Sequence, residues 1–126
     1  MHRSRLAGFI IDCRTDDLEQ AAKFWSAALG YSLVPKEQEG SPKYRCFDTA
    51  PDDLHMEVQQ VAHPSRVHLD IEADDIDAEV RRLEALGAKL VERVHTWCVM
   101  EAPTGQRFCV VRPQRANFET QANVWS

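Results

Sequence analysis

A near-repeat within the chain is the feature that most constrains its fold. Residues 15–34 read TDDLEQAAKFWSAALGYSLV, and residues 73–91 read ADDIDAEVRRLEALGAKLV. Each segment begins with two aspartates and an aliphatic residue, and each continues through Leu-Gly into a short run ending in Leu-Val. Asp75 follows Asp17 by 58 positions, so the two halves run nearly in register. Self-similarity of this kind predicts a duplicated supersecondary unit.

Each repeat predicts one amphipathic helix, because apolar residues recur at helical spacing. Asp16 and Asp74 are the predicted N-caps. Gly30 and Gly87 stand where a left-handed residue would end each helix. The apolar stripes are Leu18, Ala22, Trp25 and Leu29 in the first helix, and Ile76, Val80, Leu83 and Leu86 in the second.

The remainder of each half predicts strands bounded by turn residues. The predicted strands cover about 6–13, 30–36, 43–48, 54–61, 66–72, 88–93, 96–101 and 107–112. We therefore predict an α+β fold of two βαβββ modules that form a curled mixed sheet, with a helix packed outside each module. Residues 1–126 are predicted to form a single domain, with module one at about 5–63, module two at about 64–113 and a C-terminal tail at 114–126. The tail is expected to pack on the domain or on a partner.

Alternation along the strands predicts which side chains share a face of the sheet. The face towards the helices is predicted to be buried, and it carries Phe9, Ile11, Cys13, Met56, Val58, Val67, Leu69, Ile71, Phe108 and Val110. The opposite face carries Ile10, Asp12, His55, Glu57, Gln59, His68, Asp70, Glu72, Arg107, Cys109 and Val111. This mixed face is interpreted either as a solvated surface or as a cleft between two curved modules, which the repeat favours.

Composition narrows the classes of partner. A net charge of −5 argues against nucleic acid as a partner, because phosphate binding requires a basic surface. We predict no membrane partner, since the sequence has neither a basic run nor a long apolar span. A cytoplasmic location is expected. The cysteines form no CxxC pair and are predicted to be free thiols; they are Cys13, Cys46, Cys98 and Cys109.

Three segments resemble a known family. The first is the pattern Asp-Leu-x-x-Ala-x-x-Phe-Trp with Leu-Gly after it, at residues 17–30, which resembles the vicinal-oxygen-chelate superfamily. Residues 68–88 and the segment WCVMEAPTGQRFCVV at 97–111 are similar to its glyoxalase-like branch, with Gln106 in place of the usual Asn. The resemblance covers residues 6–112. It implies the predicted fold, but this fold is used by isomerases, lyases, dioxygenases and drug-binding proteins.

Members of this superfamily that use a metal take ligands from the first and last strands of each module. The resemblance places those positions at Ile10, Glu57, His68 and Cys109, where it implies two imidazole or amide groups and two carboxylates. Ile10 cannot coordinate a metal, and Cys109 replaces the expected Glu. Glu57, His68 and Cys109 would form a three-ligand set for a divalent metal such as zinc, nickel or iron. We expect instead that no cofactor is tightly bound.

Glu57 and His68 are the predicted catalytic pair, because a Glu-His pair in a partly buried cleft suits proton transfer next to a carbonyl. The predicted substrate-binding residues are Arg107, Cys109, His55, Asp70 and Trp97. The favoured function is a glyoxalase-like lyase or isomerase acting on a small molecule. The alternatives are a metal-free binding or drug-sequestering protein of the bleomycin-resistance type and a metal-dependent dioxygenase. The dioxygenase is least favoured, because Ile10 removes the second histidine of its ligand triad. We expect a homodimer.

Overall fold

The computed structural model describes residues 1–126. In chain order the elements are β1 (His2–Arg14), α1 (Leu18–Leu29), a 3-10 turn (Lys36–Gln38), β2 (Tyr44–Cys46), β3 (His55–Val61), β4 (Arg66–Ala73), α2 (Ile76–Ala85), β5 (Lys89–Val94), β6 (Trp97–Glu101), β7 (Arg107–Val111), α3 (Phe118–Gln121) and β8 (Asn123–Trp125). The order of strand, helix and three extended segments occurs twice, although the first of the three segments in the first half is only an isolated bridge at Leu33. The predicted α+β class, with two βαβββ modules, a mixed sheet and a helix on each module, is confirmed.

The chain divides into two compact units. The continuous unit is residues 9–67, and the discontinuous unit is residues 1–8 together with residues 68–126. The strands β1 and β4 each contribute residues to both units. The predicted single domain and its module boundaries stay predictions.

In the continuous unit, the strand order is β2-β3-β1, and α1 packs against β2 and β3. Its buried core is Ile11, Cys13, Leu18, Ala22, Phe47, Met56 and Val58. The predicted burial of Met56 and Val58 on β3 is thereby confirmed. Because burying a large aliphatic side chain contributes roughly 1.5–3 kcal/mol, this cluster fixes β3 and the polar residues that alternate with its apolar ones.

In the discontinuous unit, the strand order is β8-β1-β4-β7-β6-β5, with β4 and β7 parallel. Its core is Ala73, Val80, Leu83, Cys98, Met100 and Val110. The predicted burial of Leu69 on β4, and of Val67 at the end of the continuous unit, is wrong, because these side chains are 52% and 59% exposed. The helix α2 packs against β5, β6 and β7, so only the Ile71 and Ala73 end of β4 joins the core.

The predicted N-caps are wrong by one position in both helices. Asp17 and Asp75, rather than Asp16 and Asp74, each accept a hydrogen bond from the backbone N–H three residues later, at 3.2 Å and 3.0 Å. Asp74 instead accepts the backbone N–H of Arg3 at 2.7 Å. The predicted ends are confirmed, since Gly30 and Gly87 both have positive φ, at 78° and 106°. A glycine adopts this conformation without the strain that a side chain would add.

The strand predicted at 30–36 does not form. Its only ladder contact is an isolated bridge between Leu33 and Phe47. Pro35 has no N–H to donate to a neighbouring strand, and the chain turns into the 3-10 turn directly after it.

The C-terminal tail packs on its own unit. β8 pairs antiparallel with the start of β1, where Trp125 lies opposite His2. The indole Nε1 of Trp125 donates to Ser4 Oγ at 2.8 Å, and the Arg82 guanidinium lies 4.0 Å from the centre of the Trp125 ring. Of the two placements expected for the tail, the structure shows packing on the domain.

Glu79 on α2 is fully buried beside this tail. Its carboxylate lies 2.7 Å from His2 Nε2 and accepts two hydrogen bonds from Arg82, at 2.9 Å and 2.7 Å. Burial alone would raise the pKa of Glu79, but hydrogen bonds from Arg82, His2 and Ser4 outweigh it and hold that pKa below its usual range. The charged carboxylate therefore stabilises the folded state.

A Glu79→Gln variant is expected to lose about 1.5–3 kcal/mol of unfolding free energy at neutral pH, the usual contribution of hydrogen bonds to a charged group. Because the folded pKa is depressed, this stabilisation is present above the unfolded pKa of about 4.3 and disappears as pH falls through the folded value. Urea unfolding measured from pH 7 to pH 3 should show that the unfolding free energies of the variant and the wild-type protein become equal only at acidic pH. A difference that stays constant with pH would contradict the assignment.

Candidate functional site

The first cluster of ionisable groups lies on β2 and β3 of the continuous unit. His55 and Glu57 are two residues apart on β3 and therefore share a face. Cys46 lies directly opposite Glu57 in the antiparallel register. The three ligand-type atoms lie within 4.8 Å of one another. His55 Nε2 is 3.0 Å from Glu57 Oε1, and the two side chains are 18% and 15% exposed. We call Cys46, His55 and Glu57 the first trio.

The thiol of Cys46 faces two carboxylates. Burial raises its pKa first, and the negative charges of Glu57 and Glu39 raise it further, well above its usual range. Glu39 Oε1 also accepts the backbone N–H of Cys46 at 2.8 Å, so the carboxylate is held beside the thiol. A thiol in this environment is protonated at neutral pH and is a poor nucleophile. Cys46 is therefore unsuited to covalent catalysis as a free group.

The second cluster lies on β4 and β7 of the discontinuous unit. His68 and Asp70 share a face of β4, and Cys109 lies opposite Asp70 in the parallel register. Their ligand-type atoms also lie within 4.8 Å of one another. His68 Nε2 is 3.4 Å from Asp70 Oδ1, and both side chains are largely buried. We call His68, Asp70 and Cys109 the second trio.

The two trios share one plan, in which a His-x-carboxylate pair on one strand faces a cysteine on its neighbour. The structure thus brings His55 to Glu57, and it brings Asp70 and Cys109 to His68. Glu57 belongs to the continuous unit and His68 to the discontinuous unit. The catalytic pair formed by these two residues therefore stays a prediction, as does the three-ligand metal set.

Sequence reasoning missed Cys46 as a site residue. The His-x-Glu pattern on β3 was visible, but the partner of Glu57 depends on the register between β2 and β3. The eight residues that separate Cys46 from His55 do not fix that register, because hairpin loops of such length have no set geometry.

Two other predicted substrate-binding residues lie elsewhere on the discontinuous unit. Arg107 Nε donates to Glu101 Oε1 at 3.3 Å. Trp97 lines an open depression of about 650 Å³ at the start of α2, together with Arg93 and His95. Neither residue is part of a trio.

The mixed face of β4 is not a solvated surface along its second half. Asp70 is 7% exposed and Glu72 is fully buried. The carboxylate of Glu72 accepts hydrogen bonds from Arg5 and Arg115, which explains how a charge is tolerated there. The interpretation as a solvated face is therefore wrong for these two residues.

Comparison with models of protein families shows the family to which the chain belongs. The model of the glyoxalase-like domain matches residues 8–111. The chain belongs to the glyoxalase-like domain family. It is thereby a member of the vicinal-oxygen-chelate superfamily, as the sequence motifs indicate. No curated protein sequence is similar enough to this glyoxalase-like domain to count as a match.

Solved structures share the fold of this glyoxalase-like domain at low sequence identity. The methylmalonyl-CoA epimerase of Mycobacterium tuberculosis is 20% identical, with a TM-score of 0.62 over 86% of this chain and 87% of its own. A methylmalonyl-CoA epimerase of Streptomyces coelicolor, bound to 2-nitronate-propionyl-CoA, is 15% identical, with a TM-score of 0.55 over 89% of this chain and 97% of its own. The 4-hydroxymandelate synthase of Streptomyces coelicolor is 16% identical, with a TM-score of 0.60 over 89% of this chain and 39% of its own.

The metal positions of the superfamily do not form a complete set in this glyoxalase-like domain. Ile10, at the first position, is an aliphatic residue and only 3% exposed. Cys109, at the last position, offers a thiol where the resemblance implies a carboxylate. We therefore derive no reaction step through a metal held by the superfamily set.

None of the helices has the length and hydrophobicity needed to span a membrane.

Proposed function

We propose that this glyoxalase-like domain is a small-molecule isomerase or lyase that moves a proton next to a carbonyl group. Glu57 takes the proton and His68 supplies one. The observation that carries the proposal is that each residue has a built-in partner. His55 Nε2 lies 3.0 Å from Glu57 Oε1, and Asp70 Oδ1 lies 3.4 Å from His68 Nε2.

These partners suit acid–base chemistry. A catalytic base must be held in one orientation within reach of the proton that it abstracts. His55 holds the Glu57 carboxylate, and the low exposure of both side chains strengthens its interaction with a charge that develops in the substrate. Asp70 in turn lies beside the His68 ring and stabilises its imidazolium form, the form from which His68 supplies a proton, as the carboxylate of a catalytic triad stabilises an imidazolium.

Acyl-CoA thioesters are the first substrate class to test. Two of the structural neighbours are methylmalonyl-CoA epimerases by name, and a thioester carbonyl acidifies the adjacent C–H bond. Arg107, Cys109 and Trp97 remain the proposed substrate contacts. We also propose that the protein forms a homodimer and is located in the cytoplasm.

The test is proton exchange in heavy water. Purified protein is incubated in D₂O with methylmalonyl-CoA, other acyl-CoA thioesters and small 2-oxo and 2-hydroxy acids, and each compound is analysed by mass spectrometry. We expect enzyme-dependent gain of one deuterium next to the carbonyl in at least one class. Saturable binding without exchange, followed by tryptophan fluorescence, would favour a binding protein instead. Absence of both exchange and binding across the panel would contradict the proposed class of substrates.

A further inference from the structure

The first trio has an arrangement that its acid–base role does not require. Glu57 needs only His55 to be oriented, yet the thiol of Cys46 is placed on the same spot by the register of β2 and β3. Glu39 approaches the same thiol from the segment that follows the 3-10 turn, and its side chain is 8% exposed. One carboxylate, one imidazole and one thiol therefore converge on one half-buried position of the continuous unit, and a second carboxylate, that of Glu39, lies beside the thiol.

The charge at this position is not balanced by the nearest cation. Arg45 Nε lies 3.8 Å from Glu39 Oε1, but Arg45 Nη1 donates to both carboxylate oxygens of Glu19 at 2.5 Å. Glu39 thus shares its cation with Glu19, and Glu57 lies against a thiol and an imidazole. A cation at the centre of the cluster would meet negative charge from two sides.

The donor types identify the kind of cation. Sulfur and imidazole together select thiophilic ions of the zinc type over magnesium or calcium, which prefer oxygen. Around a tetrahedral zinc with bonds of about 2.0–2.3 Å, donor atoms lie roughly 3.4–3.7 Å apart. The three donors of the trio already lie within 4.8 Å of one another, so side-chain movements on the order of 1 Å would close the shell.

We propose that Cys46, His55 and Glu57 bind a thiophilic divalent ion such as zinc, with water as the fourth ligand. The site shares Glu57 with the superfamily set, but Cys46 and His55 stand at none of its four positions. The side chains of His55 and Glu57 are 18% and 15% exposed, and this exposed edge gives the ion a route from solvent. A bound cation converts the thiol to a thiolate ligand.

This site has a consequence that rests on the proposed function. When Glu57 coordinates the ion, its carboxylate is no longer free to take a proton from substrate. Zinc would therefore act as an inhibitor of proton exchange, and a chelator would restore the activity.

The test uses cobalt(II) as the probe and needs no substrate, so its failure is distinguishable from failure of the proposed function. Cobalt is titrated into the full-length, chelator-treated protein, and the near-ultraviolet band of thiolate-to-cobalt charge transfer is recorded. One equivalent should produce the band, and zinc should displace it. The Cys46→Ser variant should lose the band, whereas Cys109→Ser, which alters the second trio, should retain it.

A second variant tests the site in case Cys46→Ser loses the band only because it misfolds. His55→Gln keeps the thiol, so the band should persist while cobalt affinity falls by at least the about 10–100-fold that changes to outer-shell partners cost. Circular dichroism checks the fold of each variant. No band in the wild-type protein, a band that survives Cys46→Ser in folded protein, or unchanged affinity in His55→Gln would overturn the proposal.

Discussion

Replacing Glu57 with Gln is expected to slow proton exchange by about 10²–10⁴-fold, the usual contribution of a positioned general base. Gln preserves the size of the side chain and can still contact His55, but it cannot accept a proton at neutral pH. The variant should therefore fold normally and bind substrate with an affinity close to that of the wild-type protein. Deuterium incorporation, followed over time by mass spectrometry, measures the rate.

A matched control comes from the same unit. Glu37 lies in the 3-10 turn and is exposed, so Glu37→Gln makes the same chemical change away from the trio. Its exchange rate should equal that of the wild-type protein. The base would have to be sought elsewhere if Glu57→Gln retained more than about a tenth of the wild-type rate, since that loss is smaller than removal of a general base normally causes.

Replacing Glu72 with Ala is expected to lower the free energy of unfolding by about 3–5 kcal/mol, the usual cost of removing one partner of a buried ion pair. The carboxylate accepts Arg5 Nε at 2.6 Å, Arg115 Nε at 3.1 Å and the backbone N–H of Gln114 at 2.6 Å. The side chains of Arg5 and Arg115 are only 11% and 10% exposed. Neither guanidinium group therefore becomes fully hydrated when the carboxylate is removed.

Urea denaturation followed by circular dichroism measures this loss. Glu92 is an exposed glutamate on β5 of the same unit, and Glu92→Ala should change the unfolding free energy by less than about 0.5 kcal/mol. Arg115 also donates to the backbone carbonyl of Leu6 at 2.5 Å, so loss of Glu72 should loosen the tail. A loss below about 1 kcal/mol in Glu72→Ala would mean that the arginines find other partners.

The fold could be predicted from the sequence because its signals are local and repeated. The two Asp-Asp starts and the two Leu-Gly ends mark the helices, and the period of the strands marks Met56 and Val58 as core residues. The observed N-caps differ from the predicted ones by one position, because two adjacent aspartates are chemically equal candidates for the N-cap. Which one caps depends on the path of the preceding strand, as the bond from Arg3 to Asp74 shows.

The site was less predictable because it depends on contacts between distant segments. Alternation placed His68 and Asp70 on one face, but only the parallel register brings Cys109 to them. Val67 and Leu69 satisfy the pattern of a buried face and are nevertheless exposed, because the pattern does not say how far a helix extends across a sheet.

The pairing of β8 with the first residues of β1 sets an order of events during protein synthesis. Residues 1–8 are translated before residues 68–126, with which they form the discontinuous unit. At about 5–20 residues per second, Trp125, the strand partner of His2, is made roughly 6–25 s later. The continuous unit is translated during that interval. On the ribosome, the first residues of β1 therefore present an unpaired strand edge until β8 emerges.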